Sequence, residues 1–485
     1  VEADALTLLG TPEDSDLTVE ELVITGANTV AAAAHNMRLY LERLTVHDGA
    51  VLTHRKTTAE QTYELDITVS DRAEIGAAGS IDATGRGYPA GRTRNNRTVG
   101  AATENAGGSH GGLGWTGAGN VRTNALYGMP EYPRLPGSGG GPGRPGGDGG
   151  GVVFLRAGQL VVHGAIRADG GESRSDTWGS GGSGSGGSVL IDGGTVEGTG
   201  TVSARGGNGP PFGGSGGGGR VALYSREPLA MAEENIVAAG GTGGYGAGGD
   251  GSVVLRSTPL LWWMGQRPAV LHDEAELVWD ALAVDIGGAT LDVEAVIAGT
   301  TVPIASGVEP TTAVPWDTSP QPDGLLQIRA VLRSPEGAIL AESTVPAVIS
   351  NFPDWHGGTI ATDETWTAGV VHVVEEDLVL VGATVTVEPG AVVKFLEGVR
   401  IVAVDGGILS APGTTEQPIV FTSFADDEAG GDTNADGTAT VPYAGQWDGL
   451  LAEGTGQLDL SSHVDVRYIR VTHEGAVETD ETWLG

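Results

Sequence analysis

From Leu17 to about Ser257 the hydrophobic positions come in short alternating runs closed by glycine, almost nowhere at helical spacing. GGVVFLRAGQLVVHGAIRADGG (150–171), GGSVLIDGGTVEGTGTVSARGG (186–207) and GGRVALYSREPLAMAEENIVAAGG (218–241) share one layout. Each offers a strand, a turn, a second strand and a glycine-rich excursion, with closing glycines at Gly170, Gly206 and Gly240. GDGSVVLRS (249–257) begins a further copy, and AEIGAAGSIDATGRG (73–87) is a looser earlier one. A unit this short cannot bury its own apolar face, so stacked neighbours must supply the other half of the core. The expected inward stripe is Val152, Phe154, Val161, Val189, Ile191, Val202, Val221 and Leu223. Alanines in NTVAAAAHNMRLYLERL (28–44) permit a helix. The alternating runs on both sides argue for strands instead.

The excursions, such as GSGGSGSGGS before Val189 and the long stretch from Arg86 to Gly151, are open to two readings. They are floppy loops, or they are ordered because glycine lets backbones approach closely. Glycine thins out from 268 to about 348, where ATLDVEAVIAG and LLQIRAVLRSPEGAILAES alternate around the turn-rich VPWDTSPQPDG. That pattern predicts a small β-sandwich with Trp316 packed. From about Trp355 the earlier pattern returns, and VTVEPGAVVKF (385–395) repeats the layout of LTVHDGAVLTH (44–54). The expected fold is therefore all-β, with two parallel β-helix (solenoid) regions separated by a small Ig-like β-sandwich. The expected bounds are 1–265, 266–350 and 351–485, the last β-helix being truncated. Trp262 and Trp263, in PLLWWMG, are expected to seal the first β-helix.

Charge narrows the partners. With 62 acidic residues against 26 Lys plus Arg, the formal charge is -36, which repels nucleic acid and anionic lipid. Only Lys56 and Lys394 are lysines, as salt adaptation or a GC-rich genome would produce. No cysteine is present, so disulfides and thiolate metal sites are excluded. No run of about 18 apolar residues could span a membrane as a helix. The first residues lack a basic and an apolar region, so any signal peptide is expected to have been removed before residue 1.

The clearest candidate chemistry is GGDTNADGT (430–438). Asp432, Asn434 and Asp436 stand at alternate positions before a glycine, a spacing that lets hard oxygen ligands turn toward one Ca²⁺, with the Thr438 carbonyl joining them. The twelfth loop position is Tyr443 where an EF-hand needs Glu, so the ion is expected to pin a loop, with Asp426 and Asp427 supplying further oxygens. A solvated acidic loop is the alternative. The ten histidines form no ligand spacing, and no nucleophile elbow or phosphate loop occurs. No catalytic residue is nominated. Arg467 and Arg470 are explained by pairing with neighbouring acids, and Trp115 and Trp178 either pack or stack on sugars.

VEPGAVVKFLEG, GGILSAPGTTEQPIVFTSFADD, GGDTNADG and GQWDGL together resemble the parallel β-helix modules of large bacterial surface and secreted proteins. VPWDTSPQPDGLLQIRAVLRSPEG resembles Ig-like modules of multidomain exoproteins, some of them with RHS/YD repeats, and GSIDATGRGYPAG with GGSHGGLG resembles their glycine-rich segments. The resemblance implies an extracellular or cell-surface location and roles from adhesion to polysaccharide processing. The expected function is a non-catalytic structural or adhesive scaffold with a calcium-stabilised loop. Its partners would be other modules of the same large protein, further copies of itself, or polysaccharide. A carbohydrate-active β-helix enzyme and a self-assembling filament or sheath subunit are the alternatives.

Overall fold

The computed structural model describes residues 5–8, 16–26, 30–33, 38–98, 100–116, 121–143, 145–173, 175–176, 179–265, 269–434, 436 and 440–469. The chain is all-β with mostly parallel sheets, and the described residues hold only two short 3-10 turns, Arg94–Asn96 and Glu233–Asn235. It divides into two compact units, 1–262 with 281–287, and 263–280 with 288–485.

In the first unit two seven-stranded parallel sheets grow together, because the chain adds one strand to each sheet in turn. The long sheet runs through Asp16–Ile24, Arg38–Val46, Leu65–Ile75, Val152–Val162, Ser188–Glu197, Arg220–Ser225 and Ser252–Arg256. One row of apolar residues runs across it, Ile67 opposite Leu155, Leu155 opposite Ile191, Ile191 opposite Leu223, and Leu223 opposite Leu255. The stretch 28–44 forms the strands Val30–Ala33 and Arg38–Val46, so alternation outweighs alanine's helix propensity.

The core between the sheets contains Val189, Ile191, Val202, Val221 and Leu223 as the pattern predicts, but takes Val153, Leu155, Leu160 and Val162 in place of Val152, Phe154 and Val161. Both faces of this strand are buried. VVFLRA therefore carries no alternation to fix its phase, and a one-residue slip exchanges the faces. Phe154 points outward into a second apolar layer with Leu190, Tyr224, Tyr132 and Leu282. Trp262 belongs to that layer, stacked on Tyr132 at 5.5 Å.

Among the described residues, the glycine-rich excursions are ordered. Along 182–187 successive N–H groups donate to carbonyls of Gly141, Gly214, Gly171, Ser138, Gly217 and Ala168. Donors three residues apart reach the same neighbouring run, so each run bonds to three others with the period of a polyproline-II helix. The run 214–219 behaves alike, donating in rotation to 105–108, 246–249 and 204–207. A Cβ on Gly182 would overlap the Ala106 carbonyl, and one on Gly107 the Ser215 carbonyl, so this packing excludes larger residues there. Serine is tolerated where its hydroxyl is paired, as when Ser183 Oγ donates to the Asn208 carbonyl at 2.6 Å. His110 is fully buried in this lattice, its Nδ1 on the Gly186 carbonyl at 3.0 Å, and burial depresses its pKa to about 3.

The second unit begins with a five-stranded sheet, ordered Ala269–Leu271, Ile339–Ile349, Gly324–Arg333, Thr290–Ile297 and Thr300–Val308. It is antiparallel except where the first two strands pair, and Glu274–Leu277 pairs separately with Val314–Asp317. Trp316 is buried. Two parallel sheets follow. Val371–Val381 pairs with Val392–Phe395 along its first half and with Arg400–Val404 along its second, while Glu364–Trp366, Thr384–Val387, Ile408–Ala411 and Gln457–Leu460 form the other sheet. The matched LTVHDGAVLTH and VTVEPGAVVKF stretches adopt the same strand–turn–strand form, with Gly49 and Gly390 at φ of 82° and 88°.

Candidate metal centre

Ile419–Ser423 ends where the chain leaves the sheet, and it rejoins at Gly449–Ala452. Both ends of this excursion are anchored by aromatic rings. Phe424 packs against Val371 and Val373, and buried Trp447 stacks on Phe395 at 3.9 Å while its Nε1 donates to the Arg467 carbonyl. Between them the acidic segment folds over Lys394. Alternation along Val392–Phe395 sends Val393 and Phe395 into the core and leaves Lys394 on the opposite face, level with Thr422.

Lys394 is fully buried, and its Nζ donates to the carbonyls of Asp426 at 2.9 Å and Gly431 at 2.7 Å. Burial lowers its pKa to about 8, against the opposing pull of Asp426, Asp427 and Asp432. The ammonium thus ties the two ends of the acidic turn together. Ser350 adds a third tie, its hydroxyl donating to the Thr433 carbonyl at 2.7 Å.

Asp427, Asp432 and Asp436 converge, each offering a carboxylate oxygen within 4.8 Å of the others. Oxygens on one Ca²⁺ at 2.3–2.6 Å lie no farther apart than about 5 Å, so the spacing fits a single ion. Burial first, and then the charges of Asp432 and Asp436, hold the Asp427 carboxyl above its ordinary pKa. A second observation points to a ligand. Asn434 is 7 % exposed, and its Nδ2 donates to Asp436 Oδ2 and Thr440 Oγ1, while its Oδ1 has no partner. Asp427 Oδ1 is likewise buried and unpartnered. Two buried acceptors without partners, one of them on a carboxylate of the converging three, are groups a cation could satisfy. A cavity lined by Asp426, Asp427, Glu428, Thr440 and Tyr468 opens beside them.

Asp426 is placed differently. It is 1 % exposed and accepts from Thr422 Oγ1 at 2.6 Å and from the Glu428 N–H, with Arg467 at 3.5 Å. Its carboxylate braces the loop and is not one of the three that converge. Thr438 and Arg470 lie outside the described residues, as does Trp178. Arg467 also pairs with Asp465 at 2.8 Å, the salt pairing its acidic surroundings suggested. Motif reading does not single out Lys394, which holds the loop; a lone lysine in the apolar run VVKF was the available signal. Searches of protein-family profiles, curated proteins and solved structures find no match to this chain.

Proposed function

We propose that this chain is a stiff, non-catalytic scaffold segment of a large extracellular or cell-surface protein. In this reading the two parallel-sheet regions are β-helices, the antiparallel sheet between them is an Ig-like module, and Ca²⁺ clasps the loop after Ile419–Ser423. The observation that carries it is the glycine lattice. Runs that would serve as flexible linkers elsewhere are instead bonded to three neighbours each, an arrangement suited to rigidity. No helix among the described residues is long and apolar enough to cross a membrane.

Single-molecule stretching tests the scaffold. The lattice and its sheets should yield as a resolved high-force event, and low-force extension without a peak would sink the reading. The clasp is tested separately by calorimetric Ca²⁺ titration and by melting with and without chelator. One site per chain is expected, with about 2.7 kcal/mol of stabilisation at a hundredfold excess over Kd. Asp432→Ala with Asp436→Ala should abolish both signals.

A further inference from the structure

Aromatic residues make up 5% of the chain, with 6 Phe, 9 Tyr and 10 Trp, yet three rings meet at one tip of the glycine lattice. Tyr245 stacks on Trp115 at 5.4 Å with 23° between planes, and Phe212 meets Tyr245 edge-on at 6.4 Å. Phe212 and Tyr245 are each 54 % exposed. They ride on consecutive turns, joined where the Tyr245 N–H donates to the Gly213 carbonyl and the Gly209 N–H to the Thr242 carbonyl. Trp115 lies against Gly214 and Gly246, where any Cβ would collide with its ring. Asn105 Nδ2 also holds the Phe212 carbonyl at 3.0 Å. The rings are therefore carried on a hydrogen-bonded, closely packed backbone.

The same turns carry hydrogen-bonding groups. Asn208 Oδ1 accepts from the Thr242 N–H and hydroxyl, and Asn208 Nδ2 donates to Glu172 Oε1 at 3.0 Å. Half-exposed rings near an amide, a hydroxyl and a carboxylate that already pair with one another suit a ligand with apolar C–H faces and hydroxyls. Phe212 and Tyr245 expose about 100 Å² each. The net charge of -36 disfavours an anionic polymer.

We infer that Trp115, Phe212 and Tyr245 form a binding platform for an uncharged polysaccharide. The inference stands on the lattice tip alone and goes beyond the scaffold reading. Affinity electrophoresis of the full chain through gels containing β-glucan, xylan, galactomannan or dextran tests it, with alginate as the anionic control. Retardation by at least one neutral polymer and not by alginate is expected. Tyr245→Ala and Phe212→Ala should each weaken it about tenfold or more, and Leu325→Ala, an exposed residue elsewhere, should leave it unchanged. Both substituted side chains are exposed, so folding should survive, and an unchanged circular dichroism spectrum verifies that. No retardation by any of the four polymers overturns the platform, as does equal retardation of Tyr245→Ala. Self-association that Tyr245→Ala abolishes would also overturn it, in favour of a protein contact. Release of reducing ends from a retarding polymer would instead count against the non-catalytic reading and leave the platform standing.

Discussion

The parallel sheets of the first unit and those of the second both let long stretches of chain leave the ladder, and they hold those stretches by opposite means. In the first unit the excursions support one another backbone to backbone, with partners alternating every three residues. In the second the excursion after Ile419–Ser423 is held by side chains: a buried ammonium on two carbonyls, a buried carboxylate facing an arginine, and an indole on a phenyl ring. The runs 182–187 and 214–219 pair every backbone donor with a backbone carbonyl, and neither run contains a charged residue. The charged clasp must offset the desolvation of Lys394 and Asp426, and it leaves three further carboxylates repelling one another. Rigidity from glycine is built in; rigidity from the clasp can depend on an ion.

The sharpest way to break this contrast is steric. Gly182→Val should cost above about 4 kcal/mol, because the clash is with the Ala106 carbonyl, which is itself held by the Gly141 N–H and cannot turn aside. Urea denaturation would report it, and an effect below about 1 kcal/mol would show the runs to be loosely packed. The counterpart in the second unit is Lys394→Met, which keeps the volume and strands two carbonyls. About 3 kcal/mol is expected, at unchanged denaturant slope.

The first unit also predicts acid sensitivity. His54 is fully buried, with Nδ1 on the Arg55 carbonyl at 2.7 Å and Nε2 accepting the Val152 N–H, so it must be neutral. Burial lowers its pKa to about 4. Below the unfolded value of about 6.5 the unfolded chain binds the proton that the folded chain refuses, so stability is full above pH 6.5 and falls as pH drops toward 4. Between pH 6.5 and 5 the loss from this group should be about 1.5 kcal/mol. His54→Gln should flatten that part of the stability–pH curve.

What the sequence revealed follows the same division. Strand order and repeat spacing were readable because each unit's glycine pairs and alternating runs are local signals, and the shared strand–turn–strand device around Gly49 and Gly390 was visible by eye. The phase of Val152–Val162 was not, since a strand buried on both faces carries no alternation. Nor was the order of the glycine runs, which comes from bonds between 137–141, 168–171 and 213–219, segments far apart in the chain. In the acidic loop, spacing brought Asp432 and Asp436 together, and Asp427 joined them. Nothing local could show that Asp426, one residue away, turns to Thr422 and Arg467.

The finest discrimination comes from Asp427→Asn. Its carboxylate is destabilised by burial and by Asp432 and Asp436, so in chelator the amide should be neutral or stabilising, by less than about 1 kcal/mol. With Ca²⁺ present the sign should reverse, because the same oxygen that repels its neighbours in the free loop becomes a ligand, and an amide oxygen carries less charge to the ion. Melting curves of wild type and Asp427→Asn, each with chelator and with Ca²⁺, contain that test in four traces. A variant destabilised equally in both conditions would mean that Asp427 is a structural brace like Asp426, and that the loop closes without an ion. A crossing of the two pairs would mean that the charge left unbalanced in the second unit is held there for a cation, a dependence the glycine lattice does not share.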